Sequence, residues 1–475
     1  MLSLREVATL THGELVRAPS TVSSMAELEA IQVDAITTDS RDVPPGALFV
    51  ALDGEFFDGH AFLDDVAARG ARAVLVERGR HAATLPSVTV SDTRHALGDL
   101  AAGWRARFRM PLVVVTGSNG KTTTKEMIAA IMIAAFGEDG CCATRGNLNN
   151  DIGVPQTLLR LRTHHRAAVI EVGMNHPGET ARLAQIARPD IALVVNAQRE
   201  HQAFMQGVAA VADEHALAIT ALADDGIAVY PADDAYAAVW KHAAGARRIV
   251  DFVCVTARDA ESSPAAVTGR AYLGTEEIVL HLHAAQGDVT ARLSVAGLHN
   301  AHDATAAAAA CIAAGIPLDA VGAGLESFRP MRGRSQRIVI DGNIVVIDDT
   351  YNANPDSMRA AIDLLASHPA PRLMVMGDMG EVGDEGPRFH AEIGRHARAT
   401  GIETLYAFGT AGQASVDAFG SEGRHFETIE SLIEAVESWV DARTDAGGAI
   451  AVKGSRFMRM ERVVAALCGT AAGAH

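Results

Sequence analysis

Cysteine is sparse and unpatterned in this chain of 475 residues: Cys141, Cys142, Cys254, Cys311 and Cys468 show neither C-x-x-C nor metal-ligand spacing. Adjacent Cys141 and Cys142 are not a natural disulfide pair, and an odd number of scattered thiols suits the reducing cytosol. Aromatic residues make up only 5% of the chain, too few for the stacking platforms that hold nucleic-acid bases. A formal net charge of −17 works against the same partner, since phosphates would approach against the protein's field. No apolar run nears the ~20 residues that span a bilayer. The opening segment "MLSLREVATLTHGELV" interrupts its apolar residues with acids, which leaves no signal-peptide core. Neither internal repeats nor a low-complexity linker occur. These absences predict a cytoplasmic protein with no nucleic-acid partner and no membrane insertion.

What is present reads as an ordinary globular protein, 48% hydrophobic and 21% charged. The length suits two to four domains at roughly 150 residues each. Buried-strand runs recur at "PLVVVTG" (111–117), "AAVIEVG" (167–173), "IALVVN" (191–196) and "GIAVY" (226–230), with helical patterns between several of them. A second series follows at "NIVVIDDTY" (343–351), "RLMVMGD" (372–378), "TLYAFG" (404–409) and "AIAVKGS" (450–455). Strands alternating with helices predict an α/β fold with mainly parallel sheets. Between the series lie an Ala-rich helix (299–315) and the loop "SFRPMRGRSQR" (327–337). Three domains are expected: a small α/β unit over 1–108, a central unit over 109–330 and a Rossmann-like unit over 331–475.

The stretch "VVVTGSNGKTTTKEM" (113–127) carries chemistry. A strand runs into a glycine turn that opens a helix near Lys121, so backbone N–H groups and the helix dipole converge on one spot. The spacing is G-x-x-G-K-T; the longer G-x-x-x-x-G-K-[ST] loop would need a glycine where Val115 stands. Gly117, Ser118 and Gly120 are small enough for a phosphate to approach. Lys121 would add a point charge and Thr122 a hydroxyl for magnesium. Taken alone, the turn also fits a plain strand–helix connection with a solvated lysine. Glu171 ends the next strand, and a buried carboxylate there needs a partner or a cation. Strand ends beside such a loop are where open α/β sheets place ligands. His201 follows a third strand end and is a candidate ligand for a second metal.

Motifs along nearly the whole chain carry a family resemblance. They are "TDSR" (38–41) with "PGALFVAL" (45–52) and "DGHAF" (58–62), "GNLNNDIGVP" (146–155), "EVGMNHPGE" (171–179), "GLHNAHDATAAAAA" (297–310), "DDTYNANPDSM" (348–358), "GDMGEVG" (377–383) with His390, and "KGSRFM" (453–458). Together with "TGSNGKTTTKEM" they resemble the Mur ligase superfamily, which uses the shortened loop. The resemblance implies an ATP- and Mg2+-dependent enzyme in which the terminal carboxylate of UDP-N-acetylmuramoyl-tripeptide becomes an acyl phosphate. The amine of D-alanyl-D-alanine then attacks it, in peptidoglycan synthesis, on a chain expected to act as a monomer. By resemblance, ATP contacts come from Gly117, Ser118, Asn119, Gly120, Lys121, Thr122 and Thr123, from Asn300 and Asp303 near the adenine, and from Arg334, Asp349, Tyr351 and Asn354. Lys121, Glu171 and His201 would be catalytic, with Thr122, Glu171 and His201 on metal. Ser40 and Arg41 would meet the UDP group, though "DSR" also fits an Asx-type turn. Asn147, Asn149 and Asn150 would contact the UDP-sugar arm, or only brace a loop. Asp378, Glu381 and Lys453 belong to motifs expected near the dipeptide.

The chain departs from the pattern at two places. Asp303 stands where the family more often has Asn. His215, in "VADEHALAI" (211–219), stands where many of these ligases carry a carbamylated lysine that helps hold a second magnesium. An imidazole cannot become that anionic oxygen ligand. Two readings stay open: an altered metal site charged by Asp213, Glu214 or Glu200, or a solvated His215 with no anion at all. Other readings of the chain are a sister amino-acid ligase, a folylpolyglutamate synthase-like ligase and a non-catalytic nucleotide-binding regulator.

Overall fold

The computed structural model describes residues 1–18, 24–54, 57–80, 84–257, 259, 265–340, 343–443 and 446–469. Three large sheets organise the chain. The first has five strands in the order Glu14–Val16, Ser87–Val90, Ala73–Glu77, Ala47–Val50, Ala35–Thr37. Its Glu14–Val16 strand is antiparallel to its neighbour and the other pairings are parallel.

The nine-stranded central sheet is built on Leu112–Thr116, a wholly buried strand flanked by Ala167–Glu171 and Ile191–Val194. Both pairings are parallel and in close register, Glu171 beside Val115 and Val194 beside Thr116. Three strand ends therefore finish level on one edge. Such runs are continuously apolar because helices cover both faces. Lys121–Phe136 and Leu298–Ala313 pack on one face, and the alanines of the second allow close approach.

The structure adds a segment absent from the sequence expectation. Arg248–Thr256 joins the sheet in parallel, as does Val267–Leu273, and Ile278–Ala284 and Gly287–Leu293 extend it antiparallel. Ile278–Ala284 alternates buried and more exposed positions. A strand buried on one face hides from a search for continuous apolar runs, but its two-residue period was legible.

The third sheet has six strands, Gln336–Ile340, Ile344–Asp349, Gly448–Lys453, Arg372–Gly377, Thr404–Phe408 and Gly423–Phe426, parallel except for the first pairing. Its register sets Asp349 directly beside Lys453. Among the described residues no helix is long and apolar enough to cross a membrane.

Candidate functional site

A cleft of about 1140 Å³ opens where the central strand ends meet the third sheet. The loop 118–120 forms its floor. Gly120 has φ +79°, and a Cβ there would sit 2.2 Å from Asp303 Oδ1, so only glycine fits. Lys121 starts the helix. The loop is fastened to the neighbouring strand end: Asn119 N donates to Asn196 Oδ1 at 3.0 Å, Asn196 Nδ2 returns a bond to Asn119 O at 3.1 Å, and Gln198 N donates to Ser118 Oγ at 2.8 Å. Asn196 and Gln198 were not singled out from the sequence, although both stand in the strand-end segment that contains His201.

Glu171 is buried at the end of its strand. Its Oε1 accepts from Thr122 Oγ1 at 3.1 Å and from Asn149 Nδ2 at 2.8 Å. Its Oε2 is buried with no hydrogen-bond partner. An unpaired buried carboxylate oxygen beside a hydroxyl is costly without a cation, and oxygen donors suit magnesium. Among the described residues no three His, Cys, Asp or Glu side chains form a closed metal cage. Magnesium characteristically keeps waters and substrate phosphates as its remaining ligands, so the Thr122–Glu171 pair fits that ion.

Lys121 Nζ donates to the Gly117 carbonyl, to Ser118 O at 3.1 Å and to Glu200 Oε2 at 3.2 Å. Burial pushes the Glu200 carboxyl up, but Lys121 and His215 outweigh it and hold it down at about 2. His201 Nδ1 lies 2.5 Å from Glu381 Oε2 without the alignment of a hydrogen bond, an electrostatic contact between the central and third sheets' loops. His201 holds the Glu381 carboxyl below the usual carboxylate range.

His215 is not a solvated helix residue. It is fully buried, between Thr116 Oγ1 and Glu200 Oε1, each at 3.0 Å. Asp213 is exposed, and both oxygens of Glu214 accept from Gly178 N and Thr180 N at 2.9 Å. Of the three acids considered from the sequence, Glu200 alone lines the cleft.

The opposite wall comes from the third sheet. Asn354 caps the helix Pro355–Ala366 and its Nδ2 donates to Asn119 Oδ1 at 2.8 Å. Arg334 lies over the Tyr351 ring, 4.0 Å from its centroid. Lys453 Nζ donates to Asp349 Oδ2 at 2.6 Å. Burial pushes the Asp349 carboxyl up, and Lys453 brings it below its usual range. Arg199, which sequence reasoning passed over, crosses between the sheets to Asp356 at 2.6 Å and Glu392 at 2.8 Å.

Most of the expected residues line this cleft: Ser118, Asn119, Gly120, Lys121, Thr122, Thr123, Asn147, Asn149, Asn150, Glu171, His201, Asn300, Asp303, Arg334, Asp349, Tyr351, Asn354, Glu381 and Lys453. Four lie outside the lining. Gly117 sits beneath the loop with φ +141°. Asp378 points to the backbone, accepting from Gly412 N at 2.8 Å and Ala411 N at 3.2 Å. Ser40 and Arg41 lie in the turn after the first sheet's edge strand Ala35–Thr37, and Arg41 pairs with Asp39 at 2.8 Å, exposed. The adjacent Thr38 Oγ1 accepts from Gln156 Nε2 at 2.6 Å, which ties this edge to the helix after Asn150. His390 braces the third unit, receiving Met379 N at 3.0 Å.

Comparison with known proteins matches three family descriptions: "Mur ligase family, catalytic domain" over 32–105, "Mur ligase middle domain" over 115–311 and "Mur ligase, glutamate ligase domain" over 333–456. The UDP-N-acetylmuramoyl-tripeptide–D-alanyl-D-alanine ligase of Escherichia coli is 39% identical over 467 residues, 98% of each chain. The Haemophilus influenzae protein of the same name is 34% identical over 442 residues, 92% of this chain and 94% of its own. A crystal structure of MurF from Acinetobacter baumannii superimposes with a TM-score of 0.89 at 32% identity, covering 99% of both chains.

Proposed function

This chain belongs to the Mur ligase family, and we propose that it ligates D-alanyl-D-alanine to UDP-N-acetylmuramoyl-tripeptide at the expense of ATP. The observation that carries the reading is the meeting of an anion loop with Lys121, the half-satisfied Glu171 carboxylate and the buried Lys453–Asp349 pair in one cleft. Full-length likeness to ligases of that name supports the substrates.

The reaction must bring a carboxylate against a triphosphate. The carboxylate oxygen attacks the γ-phosphorus, the P–O bond to the β-phosphate breaks, and ADP leaves behind an acyl phosphate. The dipeptide's amine then adds to the acyl carbon. The tetrahedral intermediate expels phosphate, and the amine's proton passes to solvent. Lys121 and the N–H groups of Gly120 and Lys121 at the helix start would neutralise the phosphates. Thr122 and Glu171 would hold magnesium, with His201 toward a second ion. Magnesium when bound would balance charge on the transferring group. Asn300 and Asp303 would flank the adenine, Arg334 the phosphates, Asp349 the ribose, and Tyr351 and Asn354 the nucleotide's edge. Asn147, Asn149 and Asn150 would steady the sugar arm, with Ser40 and Arg41 beyond it on the UDP group. Glu381 and Lys453 would serve the dipeptide's side, and Asp378 would act there only through the loop it holds.

We assign 1–108 to the UDP-substrate, 109–330 to ATP and 331–475 to closure over both. The reading takes the chain to act as a monomer. Unpaired thiols and the use of ATP support a cytoplasmic setting. Phosphate release from ATP with the UDP-tripeptide tests the reading. Release is expected with D-alanyl-D-alanine and not with single amino acids. Release only with single amino acids would assign the chain to a sister activity, and none with any acceptor would favour a non-catalytic regulator.

A further inference from the structure

His215 is a rigid strut. It is completely buried, with Nδ1 against Thr116 Oγ1 and Nε2 against Glu200 Oε1, each at 3.0 Å. The Nε2–H tautomer satisfies both contacts: the threonine hydroxyl donates to Nδ1, and Nε2–H donates to the carboxylate. Thr116 closes the central strand, so the imidazole transmits the position of the sheet to Glu200. Glu200 in turn is fixed to the sheet through Oε1 and takes a hydrogen bond from Lys121 through Oε2. Its Oε2 stands in the cleft, 3.2 Å from Lys121 Nζ and 3.8 Å from His201 Nε2.

We propose that Glu200 supplies the anionic oxygen of a second divalent-cation position shared with His201, and that His215 is the positioning residue that holds it there. The inference rests on the ligase reading, because such an ion would lie between the protein and the transferring phosphoryl group. Three observations support it. Two ligands of one ion, each about 2.1 Å away, stand ~3.0 Å apart at a right angle and ~4.2 Å apart when opposed, and the 3.8 Å between Glu200 Oε2 and His201 Nε2 is within about 1 Å of either, a shift that side-chain rotation supplies. The neighbouring acids are occupied or remote: Glu214 is spent on Gly178 N and Thr180 N, Asp213 is exposed, and Glu381 faces the other nitrogen of His201. The charge is also fitting, since Lys121, the lysine partner of Glu200 Oε2, is one that the nucleotide's phosphates would draw away. The anionic oxygen that an imidazole at 215 cannot provide is thus provided one side chain further on, with no modified lysine.

Counting Mn2+ by electron paramagnetic resonance on the full-length chain saturated with β,γ-imido-ATP tests this directly. The parent protein is expected to bind two ions. Glu200→Gln is expected to keep the first and to lose the second. His215→Leu is expected to weaken the second about 10–100-fold, the usual effect of removing a ligand's supporting partner. His215→Gln, which retains an N–H within reach of the same carboxylate, is expected to restore it, an outcome that a merely space-filling role would not give. Melting curves of the variants establish folding, and if Glu200→Gln does not fold, the Leu/Gln pair at 215 decides. A single ion in the parent, or two ions of unchanged affinity in Glu200→Gln or His215→Leu, overturns the proposal. Phosphate release measured on the parent in parallel separates the readings: ligase activity with one ion defeats this inference alone, and two ions without ligase activity defeats the functional reading alone.

Discussion

Replacing Asp303 with Asn should make the central unit less sensitive to rising pH. Asp303 is buried beside the phosphate loop, and burial raises its carboxyl to about 8 against the pull of Arg334. Its ordinary value in an open chain is 3.8. The native state therefore keeps a proton that the unfolded state has already released. The stability tied to this group is fully present below the unfolded value and is lost as the pH climbs through the folded one. The slope is about 1.4 kcal/mol per pH unit. Over three units, from about pH 5 to about pH 8, that sums to about 4 kcal/mol. Asn has the same shape and no proton to lose. The advantage of Asp303→Asn over the parent should accordingly grow across the window by about 4 kcal/mol, or roughly 8–16 °C in melting midpoint for a unit of about 200 residues. Calorimetric scans of both proteins at successive pH values measure it. A difference that stays constant with pH would refute a protonated native Asp303.

Glu171→Gln should raise the Mg2+ requirement of phosphate release by at least the about 10–100-fold that loss of a supporting partner costs; an unchanged Mg2+ curve would remove Glu171 from the ion. Gly120→Ala forces a left-handed backbone costing about 1–2 kcal/mol and drives a methyl into Asp303, so calorimetry should show weaker ADP binding; wild-type ADP affinity would contradict the loop geometry. Arg199→Ala removes charged hydrogen bonds across the sheets worth about 1.5–3 kcal/mol each, and small-angle scattering should show an expanded chain; an identical profile would mean the contact does not hold the units together. Lys453→Ala strands the largely buried Asp349 carboxylate at a cost approaching the about 3–5 kcal/mol of a fully buried pair; denaturant unfolding that shows a loss below about 1 kcal/mol would sink the pairing.

Much of the cleft's floor was legible because its chemistry is local in the chain. The run 112–116, the turn to Gly120 and Lys121 are contiguous, and the strand ends at Glu171 and near His201 follow from apolar runs of the same kind. What escaped depended on register or on distance. Arg199 gains meaning only from Asp356 and Glu392, more than 150 residues away. Asp378 sits in a recognisable motif, yet its side chain turns toward Ala411 and Gly412. Glu200 and His215 drew attention singly in the sequence, His215 as a departure and Glu200 as one of three candidate acids, but 15 residues apart nothing joined them; folding the helix Val208–Thr220 against Thr116 makes them a pair. The strands of 267–293 went unnoticed because one-sided burial leaves alternation in place of a continuous apolar run.

The central claim, that a carboxylate is activated by phosphorylation and then captured by a dipeptide, is most directly tested by isotope transfer. UDP-N-acetylmuramoyl-tripeptide labelled with oxygen-18 in its terminal carboxylate would be incubated with the protein, ATP, Mg2+ and D-alanyl-D-alanine, and the products weighed by mass spectrometry. The expected result is a UDP-linked pentapeptide together with inorganic phosphate that carries one labelled oxygen. Pentapeptide formed with unlabelled phosphate, or labelled tripeptide recovered unchanged while ATP is consumed, would contradict the account.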